Sequence, residues 1–141
     1  MITQTLTTSF KVQLFLGVHN FTPGTQEYRI ALYTSSSSIG ADTTVYTATG
    51  EISGTGYTAG GKSLVIPSLP TSGGTTAYVT FNDVSWTNAS FTAGGALIYN
   101  ATQGNKSVAV LSFGGDKIPS AGTFTINFPA NTSTTAIIRI A

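Results

Sequence analysis

Gly56-Tyr57-Thr58-Ala59-Gly60-Gly61-Lys62-Ser63 satisfies the phosphate-binding pattern G-x-x-x-x-G-K-[ST]. In that pattern a glycine-rich loop wraps phosphates with its amides at a helix N-terminus, while Lys and Ser/Thr serve phosphate and magnesium. The chemistry depends on the helix. Here Lys62-Ser63 runs into Leu64-Val65-Ile66-Pro67, a β-branched run closed by proline, and the remaining chain lacks β-α-β order. The segment therefore reads as a turn between two strands. His19 is the single histidine and there is no cysteine, so no partner exists to complete a metal site. A nucleophile triad would have to recruit one of many serines, and no G-x-S-x-G elbow occurs. A loop histidine held by hydrogen bonds is the expectation. The five acids are isolated from one another in sequence. Asp83 and Asp116 fall at turns, where a carboxylate commonly bonds nearby backbone N–H groups, and a glycosidase pair would need tertiary proximity. No catalytic, cofactor-binding or metal-binding residue is assigned, and no enzymatic activity is expected.

Trp86 and the tyrosines could form a sugar-stacking platform, but aromatics at alternating positions more often fill a sheet core. The acceptor triplets for glycosylation at Asn20, Asn88, Asn100, Asn105 and Asn131 are what a Thr- and Ser-rich chain produces by chance.

The elements that must position these residues follow from composition and pattern. Apolar residues make up 40% and charged residues 8% of the 141 positions, against about 25% charged in an average soluble chain. That balance supports one folded core rather than disorder. A net charge of +1 leaves no electrostatic footprint for nucleic acid or an anionic membrane. With so few charges, colloidal repulsion is weak, and the surface looks suited to being covered by a partner. Met1 to Ser9 has no basic n-region, so synthesis without a cleaved export leader is expected. No apolar run approaches the length of a bilayer span.

From residue 28 onward, short β-branched and aromatic runs alternate with Gly, Ser, Asn and Pro clusters. Strands are expected at Tyr28 to Tyr33, Thr43 to Tyr46, Ser63 to Ile66, Ala77 to Phe81, Val84 to Trp86, Ala96 to Tyr99, Val108 to Phe113, Thr123 to Phe128 and Ala136 to Ile140. Phe124, Ile126 and Phe128 should point to one face, with Thr123, Thr125 and Asn127 on the other. The reading is an all-β protein: a single β-sandwich or jelly-roll-like domain over 10–141, of about eight to nine short antiparallel strands. Ser9 could cap a short helix over Phe10 to Leu16 with Gly17 in the stop position, although Phe10, Val12 and Leu14 also alternate as a strand would. Residues 1–9 read as an N-terminal arm, either frayed or able to add a strand to a neighbour's sheet edge. Ser35 to Ser38, Ser53 to Gly61 and Ser72 to Thr76 read as flexible connections. Tyr57 to Gly61 echoes Phe91 to Gly95, which suggests one glycine turn chemistry used twice.

Several segments resemble small virion proteins of tailed bacteriophages. These are Ile30 to Ser35, Glu51 to Gly61, Trp86 to Ala93, Gly95 to Asn100, Val110 to Lys117 and Gly122 to Pro129. The resemblance runs from about residue 9 to the end. It departs at Val12 to Leu16, where such proteins carry a more polar helix, and at Gly94, where they carry a basic residue. The resemblance implies a virion location, with assembly in the host cytoplasm, and a capsid decoration or cement role. The partner would be the major capsid protein, and the chain would form a homo-oligomer, dimer or trimer. A head-tail neck or tail component and a glycan-binding virion surface module are the alternatives. Candidate interface residues are Met1, Ile2, Thr3 and Leu6 of the arm, Tyr57 in its loop, and Ser72 and Thr75.

Overall fold

The computed structural model describes residues 2–141; Met1 lies outside them. The protein is an all-β, sandwich-like fold with one short helix. Its main sheet is antiparallel, in the order β1 (Thr5–Leu6), β8 (Lys106–Lys117), β7 (Ala93–Asn100), β2 (Tyr28–Tyr33), β3 (Lys62–Leu64). A three-stranded sheet follows the order β10 (Ile138–Ile140), β5 (Thr76–Val79), β4 (Thr71–Gly73), and β6 (Val84–Ala89) pairs with β9 (Gly122–Ile126). The helix α1 spans Thr8–Phe15.

Alternation assigns the faces of the main sheet. Tyr28, Ile30 and Leu32 of β2 point into the principal core with Ala96 and Ile98 of β7, beside Trp86, Phe81, Phe91, Val79 and Ile138 of the opposing elements. Ala31, Tyr33, Leu97, Tyr99 and Val110 point the other way, into a second cluster closed by Ile2 and Ile39. All eight residues of β7 are consequently buried. A strand covered on both faces tolerates a continuous apolar run instead of alternation. The second cover is the segment between β2 and β3, in which Ser35 to Ser38 and Ser53 to Gly61 read from sequence as flexible connections. It is tied down by bridges from Glu51 to Tyr33, Val45 to Lys106 and Thr55 to Ser90.

Nine expected strands meet ten among the described residues. Tyr28 to Tyr33 agrees at both ends, and Phe124 and Ile126 do face inward while Thr123 and Thr125 are exposed. Thr43 to Tyr46 contributes an isolated bridge at Val45. The expected loop Ser72 to Thr76 is instead a β-hairpin, with Thr71 opposite Tyr78 and Gly73 opposite Thr76. Its first strand, Thr-Ser-Gly, is largely exposed, so it offers no apolar alternation to read. The repeated glycine turn is also corrected. Gly60 and Gly61 have positive φ, but Gly94 and Gly95 sit inside β7. A Cβ at Gly95 would lie 2.5 Å from Leu111 O, and one at Gly94 2.6 Å from Ser35 Cα, so these glycines permit close packing rather than a turn.

The helix starts two residues earlier than its sequence cap suggests. Thr7, not Ser9, is the N-cap, its Oγ1 accepting from Phe10 N at 3.3 Å. Gly17, with φ 71°, follows the C-cap Leu16, the αL stop that glycine supplies. Thr7 is fully buried, and its hydroxyl meets Ser107 Oγ at 2.9 Å, which in turn donates to Thr43 O at 2.6 Å. A cap thus also clamps the arm, α1 and β8 together. Thr7→Ala is expected to cost about 2 kcal/mol, the upper end for a lost N-cap, read as a lower urea midpoint at unchanged slope.

Candidate functional site

The glycine loop is built by neighbours rather than by a ligand. No helix follows it; Lys62 begins β3. Glu51 fills the position an anion would need: its carboxylate accepts from Gly60 N at 2.7 Å, Tyr57 OH at 2.6 Å and Tyr46 OH at 2.5 Å. A phosphate would meet that negative charge. Arg29 donates to Gly61 O at 2.9 Å, and Tyr99 donates to Gly60 O at 2.6 Å. Lys62 Nζ is turned to Ser85 O and lies 5.9 Å from the Trp86 ring centroid. The tyrosines are held as neutral donors. Burial, then the hydrogen bond to Glu51, pushes Tyr46 up to about 12, and the same two causes raise Tyr57 further. Glu27, beside Ser63 and Arg29, is shifted down by those two hydrogen bonds. This cluster clasps the covering segment to β2 and β7.

His19 is buried, and its ring lies 4.9 Å from Phe10. Its nitrogens meet Gln13 and Asn100. Asp83 accepts from Phe128 N at 2.8 Å and Asp116 from Ser35 Oγ at 2.7 Å, so both carboxylates brace distant segments rather than local turns. Trp86 is 1% exposed, which makes it core and not a sugar platform. Among the described residues no group of three or more His, Cys, Asp or Glu converges to hold a metal ion. Nor, among those residues, is any helix long and apolar enough to cross a membrane.

The candidate interface residues fall into two sets. Thr3, Ser72 and Thr75 are exposed, Ser72 in β4 and Thr75 in the β4–β5 turn. Ile2 is 5% exposed and caps the second cluster, while Leu6 packs on the principal core. The arm's β1 pairs with this chain's own β8, Thr5 opposite Val110 and Leu6 opposite Ala109. Tyr57 is half-buried with its hydroxyl engaged. The arm and the Tyr57 loop, expected to be free, are thus docked on the chain itself.

A surface outside the candidate interface residues lies on α1. Phe10 and Leu14, one turn apart, face the core, whereas Val12, Phe15 and Leu16 are 55%, 94% and 72% exposed. Their i, i+3, i+4 spacing puts the three on one outward ridge. A short helix apolar on both sides has no amphipathic signature, yet that lack of a polar face was the available signal. Beside α1 runs an apolar groove of about 110 Å³ lined by Phe10, Leu14, Phe21, Pro70, Tyr78 and Ile140. Ile140 at its edge is 58% exposed. The groove's lining is apolar apart from the Tyr78 hydroxyl, and ridge and groove together can bury apolar surface.

The class defined by fold and site is a small, sparsely charged all-β domain with one outward apolar ridge. No known protein family, no curated protein and no solved structure matches the chain.

Proposed function

We propose that this chain is a non-enzymatic structural protein of a tailed-bacteriophage virion, a decoration or cement protein that binds the head exterior and bridges neighbouring capsid subunits. The carrying observation is the ridge of Val12, Phe15 and Leu16, three apolar side chains that stand in water together along one helix. Exposed apolar clusters of this kind mark interaction sites. The sequence resemblance supplies the context, and the low charge suits a surface covered on assembly. The partner in this reading is the major capsid protein, with the chain itself as a dimer or trimer. A small ridge gives modest affinity per contact, and repetition over a shell turns modest contacts into durable attachment.

Phe15→Asp is expected to weaken binding to undecorated heads by at least tenfold per site, because burying a Phe side chain is worth about 1.5–3 kcal/mol. Its melting temperature should stay near that of the parent chain, since Phe15 is 94% exposed. Binding unchanged by the substitution removes the ridge from the interface. Copy number in purified particles tests the location. A number scaling with shell subunits supports head decoration, and a single small ring per particle supports the neck or tail. Saccharide-dependent binding on a glycan array would favour the surface-module reading.

A further inference from the structure

The hydrogen-bond network around His19 admits one protonation state. Gln103 N donates to Asn100 Oδ1 at 3.3 Å, and Asn20 N donates to Gln26 Oε1 at 2.8 Å. Backbone N–H groups can only donate, so these two contacts fix which way both amides point. Asn100 Nδ2 must then face Gln26 Oε1, at 2.9 Å, and His19 Nδ1, at 3.1 Å. The ring accepts at Nδ1 and donates from Nε2 to Gln13 Oε1 at 2.7 Å. Neutral imidazole is the form that satisfies both neighbours.

The ring joins three elements. Gln13 lies on α1, Asn100 ends β7, and Gln26, which also donates to Val18 O at 3.2 Å, belongs to the segment leading into β2. A second proton on the ring would sit on Nδ1 and confront the Asn100 amide, donor against donor. Rotating Asn100 to offer Oδ1 would set that oxygen against Gln26 Oε1 and abandon Gln103 N. The surrounding charges do not help. Lys106 of β8 acts on the ring as a like charge, Lys11 of α1 is exposed, Glu27 is engaged by Arg29 and Ser63, and Tyr28 donates its hydroxyl to Asn20 O. Among the described residues no carboxylate hydrogen-bonds the imidazole.

We propose that His19 is an acid-operated latch: a proton taken up at Nδ1 breaks the Asn100 contact and releases α1 with residues 17–27 from the end of the main sheet, while the rest of the domain stays folded. Phe10, Leu14 and Phe21 form one wall of the apolar groove, so release opens that groove and uncovers the apolar surface beneath.

The direction follows from the closed and open forms. Burial, then Lys106, lowers the closed-state imidazole from 6.5 to about 4, whereas an opened segment would titrate near the ordinary value. Closure is fully favoured above pH 6.5 and weakens by up to tenfold per pH unit down to about 4. Below that it levels off, about two and a half orders of magnitude more open.

Amide hydrogen exchange on the intact chain from pH 7.5 to 4.5, corrected for intrinsic rates, tests the latch. Protection over residues 10–27 should fall with pH while that of β7 and β8 is maintained, and the His19→Asn chain, unable to take the proton, should show a flat profile. Lys106→Met should raise the imidazole midpoint followed by NMR and move the exchange profile with it, which a purely structural histidine would not do. An unchanged profile in His19→Asn, a ring titrating near 6.5 in the folded chain, or loss of protection throughout the domain at once would each overturn the latch. Should His19→Asn fail to fold, the parent ring titration and Lys106→Met decide the matter.

Discussion

Gly61→Ala is expected to destabilise the domain by about 4 kcal/mol, near the top of the range for single substitutions. Gly61 has φ 76°, and a Cβ there would lie 1.8 Å from Ile30 O and 2.8 Å from Ala31 Cα. Both atoms belong to β2, an interior strand of the main sheet, so neither can retreat without shifting β2 against β7. Positive φ alone costs an L-residue about 1–2 kcal/mol; the backbone collision supplies the rest. Gly60→Ala separates the two contributions. Gly60 also has positive φ, at 90°, but its Cβ would meet only Tyr99 Oη at 3.5 Å, and a loss of about 1–2 kcal/mol is expected. Urea unfolding of both variants checks this, and a Gly61→Ala loss no larger than that of Gly60→Ala would refute the close approach to β2. The comparison also bears on the phosphate-loop pattern. Its second glycine is demanded by strand packing, and Lys62→Ala should cost less than 1 kcal/mol, as an exposed contact does.

Trp86→Ala is expected to cost about 3–5 kcal/mol, the penalty for emptying a large aromatic site. The indole is 1% exposed and packs beside Tyr57 and Phe124, at centroid distances of 6.3 and 5.9 Å. Trp86→Phe should behave differently. The indole N–H finds no acceptor among the described residues, and an unpaired buried donor carries a desolvation penalty of about 1–3 kcal/mol. Removing that donor offsets part of the lost packing, so a loss near 1 kcal/mol is expected. Circular dichroism in urea distinguishes the cases. Equal losses for Phe and Ala would mean that the N–H is satisfied in solution.

The legible part of this fold was local. Tyr28 to Tyr33 reads as a strand because its β-branched and aromatic residues suit a pleated surface, and Phe124 and Ile126 declare their face by period two. Gly17 marks the helix end for an equally local reason, its positive φ. Thr7 and Ser9 are both capping residue types, two positions apart; burial against Ser107, a hundred residues away, selects Thr7. The arm looked unattached because Thr-rich sequence carries no apolar period, yet Ile2 and the short β1 dock on β8. Which side of α1 forms the exposed ridge is not legible for a related reason. Val12, Phe15 and Leu16 are the same residue types as Phe10 and Leu14, and only packing tells which of them face water.

Read alone, the sequence determined the all-β class and the inward sides of several strands, since these follow from residue type and spacing. Tertiary structure decided the rest. It turned a phosphate-loop pattern into a packed corner, placed His19 between Gln13 and Asn100, folded the arm onto its own sheet and left one side of α1 uncovered. Each of those outcomes depends on which distant segments meet. Long-range pairing is set by how the faces close over a common core, and no window along the chain contains that information.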